Sequence, residues 1–256
     1  MPKGIIKSPR EIELMRESCR IVGDVLRLLS GSIAPGVTTG ELNRMAEEFI
    51  RSRNAEPAFK GYGNDRNNLF PATICSSVDD QVVHGIPNGR ELREGEIISI
   101  DVGVKKSGYF GDGAWTFPVG RVSEEKRRLM EVTREALQRG IGKARAGNRV
   151  IDISAAVQEY VEASGFSVVK ELVGHGVGRN LHEDPAVPNF VPRNSSAGER
   201  LRPGMTLAIE PMVNGGADRV RVEVDGWTVV TEDGKPSAHF EHTVLVTAGE
   251  PEILTA

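Results

Sequence analysis

The sequence predicts an α+β fold of two similar halves, each an antiparallel sheet with helices on one face. The first reason is an order of features that occurs twice: a helix, a glycine turn, a second helix and a strand that ends in a carboxylate. The second reason is a length of 256 residues with 39% hydrophobic residues, which is enough to bury a full core. We therefore expect a single domain over residues 1–256, with halves of about 8–120 and 121–250.

Four helices are predicted from N-cap residues that are followed by apolar residues at intervals of three and four. The first is the clearest, because Ser8–Glu11 supplies an N-cap, a proline at the first helical position and a glutamate three residues after the cap. The first helix is predicted from Ser8 to Gly31, and the second begins at Thr38. The third is predicted from Ser123 to near Gly147, and the fourth from Asp152 to Gly165.

The repeat is visible in two short segments. Leu92–Gly95 precedes an apolar run that ends at Asp101, and Leu201–Gly204 precedes a run that ends at Glu210, 109 positions later. Short apolar runs are weak signals on their own. The connecting glycines and the helix starts repeat in the same order, at offsets of 111 and 115. A duplication is therefore favoured, with one site shared between the halves, where ligands commonly bind.

Charge and composition exclude several classes of protein. The 32 basic and 36 acidic residues give a net charge of -4, which offers no electrostatic case for binding nucleic acid. No stretch approaches the roughly 20 apolar residues of a spanning helix, and Met1–Gly4 lacks the apolar core of a signal peptide. Cys19 and Cys75 are too few for a disulfide framework. We expect a cytoplasmic monomer that binds no membrane.

A hairpin brings two carboxylates together. The apolar run Ile97–Val104 and the segment after it predict paired strands. With Lys106 and Ser107 as the two loop residues, Asp101 lies directly opposite Asp112 and both side chains point the same way. Opposed carboxylates in a buried sheet repel unless a cation or proton lies between them. Two alternatives stay open: one aspartate caps the turn while the other faces solvent, or the register slips by one residue.

The second half offers two further acids. Glu210 occupies the repeat position of Asp101 and should face the same centre. Glu241 lies in a predicted strand, Ala238–Val246, where apolar neighbours make it hard to leave the carboxylate solvated. Four carboxylates carry four negative charges, which two divalent cations would cancel.

His175 is the candidate nitrogen ligand. It lies in Gly174–Gly178, a run too flexible for an ordinary core strand, in which small residues let the backbone pass close to another group. A lone histidine is more often a hydrogen-bonded structural residue, and the same caution applies to His84, His182, His239 and His242. An oxygen-rich site with one histidine favours Mn, Fe or Co over Zn, although Zn is not excluded.

These motifs together resemble type I methionine aminopeptidases, which have the pita-bread fold. The resemblance extends from about residue 4 to residue 250. The matching motifs are Asp101 and Asp112 eleven apart, Gly174–Arg179 with His182 seven residues beyond His175, Ile209–Pro211 and Phe240–His242.

The resemblance implies removal of the N-terminal methionine from nascent proteins and peptides, with a hydroxide that bridges two metal ions as nucleophile. It implies that His84 and His182 contact the substrate and assist catalysis, and that Glu210 takes the proton of the attacking water. The implied metal ligands are Asp101, Asp112, His175, Glu210 and Glu241.

The resemblance also implies an apolar pocket for the methionine side chain, although each of its residues could equally be ordinary core. This sequence has phenylalanine at 59, where cysteine is common, and leucine at 181, where phenylalanine is common. It also has a few extra residues within Gly63–Leu69, which weakens the alignment of Phe70. The implied pocket residues are Phe59, Tyr62, Phe70, Cys75, Leu181 and Trp227.

Three other classes of protein are weighed against this one. Xaa-Pro aminopeptidases and prolidase-like hydrolases would share the metal ligands, but they usually carry a sizeable N-terminal domain. Non-enzymatic binding proteins of this fold typically lose metal ligands. A purely structural α/β protein would leave several buried acids without buried bases. The sequence does not determine the physiological metal, the preferred second residue of the substrate or association with the ribosome.

Overall fold

The computed structural model describes residues 6–192 and 198–256, so the signal-peptide prediction for Met1–Gly4 lies outside them. Every helix in these ranges is too short or too polar to cross a membrane. The helices are α1 (Pro9–Ser30), α2 (Thr39–Ser52), α3 (Glu124–Lys143) and α4 (Val150–Ala163).

The helices begin where polar side chains satisfy the free amides of the first turn. At α1 the Ser8 hydroxyl accepts from the amide of Glu11, and the Glu11 carboxylate accepts from the amide of Ser8, which is the predicted capping box. The predicted start of α4 at Asp152 is wrong by two residues. Asp152 lies at the third helical position, where its carboxylate accepts from the amide of Arg149 at 2.7 Å.

The strands form four antiparallel sheets. In the first half, β4 pairs with β5 along one edge and with β1 and β2 along the other. In the second half, the largest sheet has the order β15, β14, β9, β7, β8. The strands are β1 (Glu56–Pro57), β2 (Ile74–Val78), β3 (Gln81–Val83), β4 (Ile97–Lys106), β5 (Tyr109–Pro118), β6 (Ser167–Val168), β7 (Gly174–Gly176), β8 (Glu183–Val187), β9 (Thr206–Ile209), β10 (Met212–Asn214), β11 (Val220–Val222), β12 (Val229–Thr231), β13 (Ser237–His239), β14 (His242–Leu245) and β15 (Glu252–Ile253).

The register of the β4–β5 hairpin differs from the prediction. Asp101 pairs with Ala114 and Asp112 pairs with Gly103, so the two aspartates are diagonal neighbours and not directly opposed. The cause is the turn: Ser107 and Gly108 both have positive φ, of 54° and 80°, as in the two-residue turns that fit the twist of a hairpin. Because the shift is by two positions, both side chains still lie on one face of the sheet.

The predicted strand over Ala238–Val246 is wrong as a single strand. It divides into β13 and β14, which belong to different sheets, with a break at Phe240 and Glu241. At the break, the amide of Glu241 donates to the carbonyl of Ala114 in β5 at 2.7 Å. The chain therefore leaves one sheet and enters the next where it contacts the other half of the molecule.

Two threonine hydroxyls extend this contact between the halves on either side of Glu241. The Thr116 hydroxyl accepts from the amide of His239 at 2.9 Å and donates to its carbonyl at 2.7 Å. The Thr243 hydroxyl accepts from the amide of Asp112 at 3.1 Å and donates to its carbonyl at 2.8 Å. Each hydroxyl thus bonds both the amide and the carbonyl of one residue, as a residue on a neighbouring strand would do. We call this contact the seam, which consists of Asp112, Ala114, Thr116, His239, Glu241 and Thr243.

The same backbone contacts occur in both halves. The amide of Gly36 donates to the carbonyl of Leu92 at 2.8 Å, and the amide of Gly147 donates to the carbonyl of Leu201 at 3.0 Å. These two glycines have φ of 89° and 96°, which favours glycine in both copies. The repeated motif in the sequence therefore corresponds to a repeated structure.

Each half buries its own core between helices and sheet. Leu26, Leu42 and Ile98 belong to the core beneath α1 and α2, and Leu137 and Leu207 belong to the one beneath α3 and α4. Helix α1 approaches β5 closely because Gly111 has no side chain. A Cβ at Gly111 would lie 2.7 to 2.9 Å from the backbone and sulfur of Cys19.

Gly111→Ala should therefore destabilise the protein by about 1–3 kcal/mol, because α1 must move away from β5 to admit the methyl group. Urea unfolding followed by circular dichroism measures this loss. The matched control is Gly142→Ala in α3, where a Cβ would meet nothing within 4 Å and helix propensity favours alanine by up to about 1 kcal/mol. Equal stability of the two variants would contradict the packing described for α1.

Candidate active site

One cavity of about 120 Å³ brings together every residue that the sequence analysis assigned to the site. Larger depressions of about 640 Å³ between α3 and α4 and about 490 Å³ between β5 and α3 lack the group of converging carboxylates. The small cavity has an acidic end and an apolar end. Its lining residues are Phe59, Tyr62, Phe70, Cys75, His84, Asp101, Asp112, His175, Leu181, His182, Glu210, Trp227 and Glu241.

The four carboxylates come from structures that fix the backbone firmly. Asp101 and Asp112 lie within β4 and β5, Glu210 follows β9, and Glu241 lies at the break in the seam. The backbone of Glu210 is held further, because the side-chain amide of Asn189 donates to its carbonyl at 3.0 Å. Both halves therefore contribute two acids to one centre.

Burial raises the pKa of all four carboxyl groups. It raises the pKa of Glu210 to about 8. For Asp112, burial and then the negative charge of Asp101 raise the pKa well above its ordinary value. For Glu241, burial and then the charge of Asp112 do the same. At neutral pH, ionisation of these groups requires compensating positive charge.

His175 offers a lone pair to this centre. Its Nδ1 lies 2.9 Å from the carbonyl oxygen of Gly176, so Nδ1 carries the proton and donates. Nε2 lies 3.5 Å from Oε1 of Glu210 and 3.9 Å from Oδ2 of Asp112. Burial lowers the pKa of His175 to about 3, so the ring is neutral. A lone pair that faces two carboxylates needs a cation between them.

The glycines beside His175 have the predicted effect on packing, but part of the structural prediction is wrong. Gly174–Gly176 forms β7, a buried strand whose pairing with β8 is irregular. A Cβ at Gly174 would collide with the carbonyl of Ala208, and one at Gly176 with the carbonyl of Asp184. The run is therefore a strand after all, and it brings His175 to the centre by close backbone packing.

The donor set suits divalent metal ions. Oδ1 of Asp101 and Oε1 of Glu241 are buried and have no hydrogen-bond partner within the described ranges. Ligand atoms of Asp112, His175 and Glu241 lie within 4.8 Å of one another, and so do those of Glu210, His239 and Glu241. Both groups include Glu241. Oxygen-rich sites of this kind suit Mn, Fe or Co.

His239 at this centre was not assigned a role by the sequence analysis. The side chain is buried, and its Nε2 lies 3.5 Å from Oε2 of Glu210. A signal was available in the alternation of the strand, because positions 239 and 241 share a face.

The apolar end of the cavity is an aromatic pocket. Phe70 packs edge-on against Trp227, with ring centroids 5.3 Å apart, and against Phe59 at 6.5 Å. Cys75 and Leu181 are buried beside them. Five of the six residues that the resemblance implied for a side-chain pocket thus pack together, including Phe70, and the sixth, Tyr62, lines the same cavity beside His182.

The additional residues within Gly63–Leu69 hold one wall of this pocket. The indole nitrogen of Trp227 donates to the carbonyl of Asn68 at 3.1 Å, and the Asn68 amide donates to the carbonyl of Asp225 at 3.2 Å. A Cβ at Gly63 would lie 3.1 Å from the Trp227 ring. This segment therefore supports Trp227 without entering the cavity.

Two histidines lie between the acidic and apolar ends. His84 has a φ of 59°, a conformation that non-glycine residues seldom adopt and that is often found at functional sites. Burial lowers its pKa to about 4. The ring of His182 lies 4.2 Å from that of His175, and its Nδ1 is 2.5 Å from the hydroxyl of Tyr62. Burial lowers the pKa of His182 as well.

Comparison with known proteins agrees with this geometry. The sequence profile of metallopeptidase family M24 matches residues 13–248. The chain belongs to this family. One relative of this chain is methionine aminopeptidase 1 of Bacillus subtilis, which is 52% identical over 98% of both chains. Another is methionine aminopeptidase of Clostridium perfringens, which is 53% identical over 98% of both chains. The crystal structure of methionine aminopeptidase from Thermotoga maritima has a TM-score of 0.92, with 46% identity over 98% of both chains.

These similarities confirm three of the predictions. The resemblance to methionine aminopeptidases holds over nearly the whole M24 chain. The α+β pita-bread fold with two similar halves is the fold of its structural relatives. The chain is a hydrolase of the metallopeptidase class.

The buried acids predict an unusual dependence of stability on pH in the metal-free protein. A carboxyl whose folded pKa is raised contributes stability that is complete below its unfolded pKa of about 4 and is lost as the pH rises through the folded value. The buried histidines have lowered pKa values, and their contribution is already complete above pH of about 6.5. Between pH 7 and 9 the carboxyls therefore dominate, since the pKa of Glu210 is about 8.

We expect the Tm of the metal-free protein to fall as the pH rises from about 7 to about 9, and added Mn²⁺ to reduce the fall. Thermal unfolding in EDTA at constant ionic strength measures it. Asp101→Asn, whose amide cannot ionise, should flatten the profile. A slope that is the same in this variant as in the parent protein would count against the acidic centre as its source.

Proposed function

We propose that this chain is a methionine aminopeptidase that removes the N-terminal methionine from peptides and nascent proteins. The observation that carries the proposal is an aromatic pocket, small enough for one side chain, that opens directly onto a centre of four acids. A flexible thioether suits such a pocket, because methionine adapts to irregular apolar surfaces and contacts aromatic rings favourably. We further propose a single catalytic domain over residues 1–256, with halves of about 8–120 and 121–250.

The cations would be held by Asp101, Asp112, His175, Glu210 and Glu241, as two divalent ions, with Mn, Fe or Co preferred and Zn allowed. Their contribution when bound is to lower the pKa of a bound water toward neutrality and to polarise the scissile carbonyl. Glu210 accepts the proton of the attacking water. Support for this role comes from its place in the cavity, where Oε1 lies 3.5 Å from Nε2 of His175 among the other acids.

His182 stabilises the negative charge that develops on the carbonyl oxygen. With the hydroxyl of Tyr62 as the donor to Nδ1 of His182, the remaining ring proton lies on Nε2, and that atom is the donor to the substrate. His84, neutral at pH 7, donates to the scissile amide and assists departure of the amine. The methionine side chain is held by Phe59, Tyr62, Phe70, Cys75, Leu181 and Trp227.

The proposal also covers the protein's surroundings. We expect a cytoplasmic monomer that meets its substrates as emerging chains, with no membrane or direct nucleic-acid contact. Contact with the ribosome is a question for a separate binding measurement. These expectations follow from the net charge of -4 and from the substrate class proposed above.

The decisive experiment compares substrates and metal states. We expect release of methionine from a peptide beginning Met-Gly and little or no cleavage of Xaa-Pro peptides. Treatment with EDTA should abolish the release of methionine. Activity should return on titration with Mn, Fe or Co. Preferential cleavage of Xaa-Pro peptides would identify a prolidase-like enzyme, and full activity in EDTA would exclude the metal chemistry.

His84→Ala and His182→Ala should each lower kcat/KM by about 10²- to 10⁴-fold, because each removes one proton donor from the transition state. Neither residue is a proposed metal ligand, so both variants should fold and bind two metal ions per chain. Circular dichroism and elemental analysis provide that control. Turnover at the parent rate in both variants would remove these two assignments.

A further inference from the structure

The imidazole of His239 has no assigned task in the proposed reaction. Its backbone is explained by the seam, where the Thr116 hydroxyl contacts both its amide and its carbonyl. The seam does not explain its side chain. The residue is 1% exposed, and Nε2 is buried without a hydrogen-bond partner in the described part of the chain. Buried polar atoms without a partner are rare, and each calls for an explanation.

The carboxylate of Glu210 lies between two imidazoles. Oε1 is 3.5 Å from Nε2 of His175, and Oε2 is 3.5 Å from Nε2 of His239. The two rings differ in the hydrogen-bond partner of Nδ1. In His175, Nδ1 contacts the carbonyl of Gly176, which leaves a lone pair on Nε2. For His239, no hydrogen bond to Nδ1 is formed among the described residues, so its proton is free to lie on Nε2.

This difference assigns different roles to the two rings. A lone pair facing a carboxylate calls for a cation, whereas an N–H facing a carboxylate is a hydrogen-bond donor. Shortening of this 3.5 Å separation to about 2.8 Å would give a charge-assisted hydrogen bond. Carboxylates that bind metal are commonly held in this way through a neighbouring group.

We propose that His239 is a positioning residue, which donates Nε2–H to Oε2 of Glu210 and thereby aims Oε1 at the cation beside His175. The proposal rests on the proposed role of Glu210 as a metal ligand. It assigns His239 to the support of the metal centre and not to direct ligation, although its ring nitrogen lies within 4.8 Å of ligand atoms of Glu210 and Glu241.

The first experiment measures binding of Mn²⁺ alone to the metal-free protein by calorimetry. We expect His239→Leu, which keeps the volume and loses the donor, to weaken Mn²⁺ binding by about 10- to 100-fold. His239→Gln, whose amide supplies an N–H donor, should bind within a few-fold of the parent protein. Parent-like affinity in His239→Leu would overturn the proposal. So would a loss in His239→Gln as large as that in His239→Leu, because it would point to imidazole as a ligand.

The second experiment uses the intact parent chain and needs no variant to fold. X-ray absorption of the protein loaded with two Mn²⁺ ions should show one imidazole per pair, from His175. Two imidazoles per pair would make His239 a ligand and overturn the positioning role.

A double-mutant comparison tests the partner. In a Glu210→Ala background, His239→Leu should have no further effect on Mn²⁺ affinity, since its acceptor is gone. A further loss as large as in the parent would show that His239 acts elsewhere. Failure of the proposed function would be seen separately, as absence of methionine release by the parent chain, because Mn²⁺ affinity is measured without substrate.

Discussion

Mutual repulsion among four converging carboxylates is the constraint on which the rest of this molecule depends. The acids lie in one small cavity, where burial raises the pKa of each and where the charge of one opposes ionisation of the next. A flexible scaffold would relieve the repulsion by moving them apart. The acids are therefore carried on paired strands, directly after such a strand, or in the seam, and repulsion can then be relieved only by a bound cation or a proton.

The seam makes that rigidity possible across two halves that share no continuous sheet at this point. Thr116 and Thr243 each use one hydroxyl as both donor and acceptor toward the backbone of the opposite half. These contacts surround Glu241 and include the backbone of Asp112, so two of the acids are fixed by the contact between halves. The centre is an interface whose geometry neither half determines alone.

Much of the fold follows from local chemistry and was predictable. Capping residues such as Ser8 predict helix starts because they satisfy free amides within one turn, and no distant residue is needed. The hairpin register was missed because it depends on which two residues adopt positive φ, and Ser107 with Gly108 does so in place of Lys106 with Ser107. A slip of two positions preserves the face, which is why Asp101 and Asp112 still lie on the same side of the sheet.

The missed features depend on contacts that no single segment contains. The division of Ala238–Val246 into two strands arises from its contact with β5, more than 120 positions earlier in the chain. His239 acquires its place through the same break. Sequence reasoning identified Glu210 through the repeat, since an internal copy carries long-range information, but position 239 lies outside the repeated segments.

The pocket and the acidic centre are built on different kinds of structure. The acids are carried on paired strands, directly after one, or in the seam. The wall formed by Trp227 is instead held by the exposed segment around Asn68, which accepts from the indole and donates to the carbonyl of Asp225. Insertions or substitutions in that segment reshape the space available to a side chain and leave the acids where they are. Side-chain selectivity can thus change through substitutions in this segment, while the acidic centre keeps its geometry.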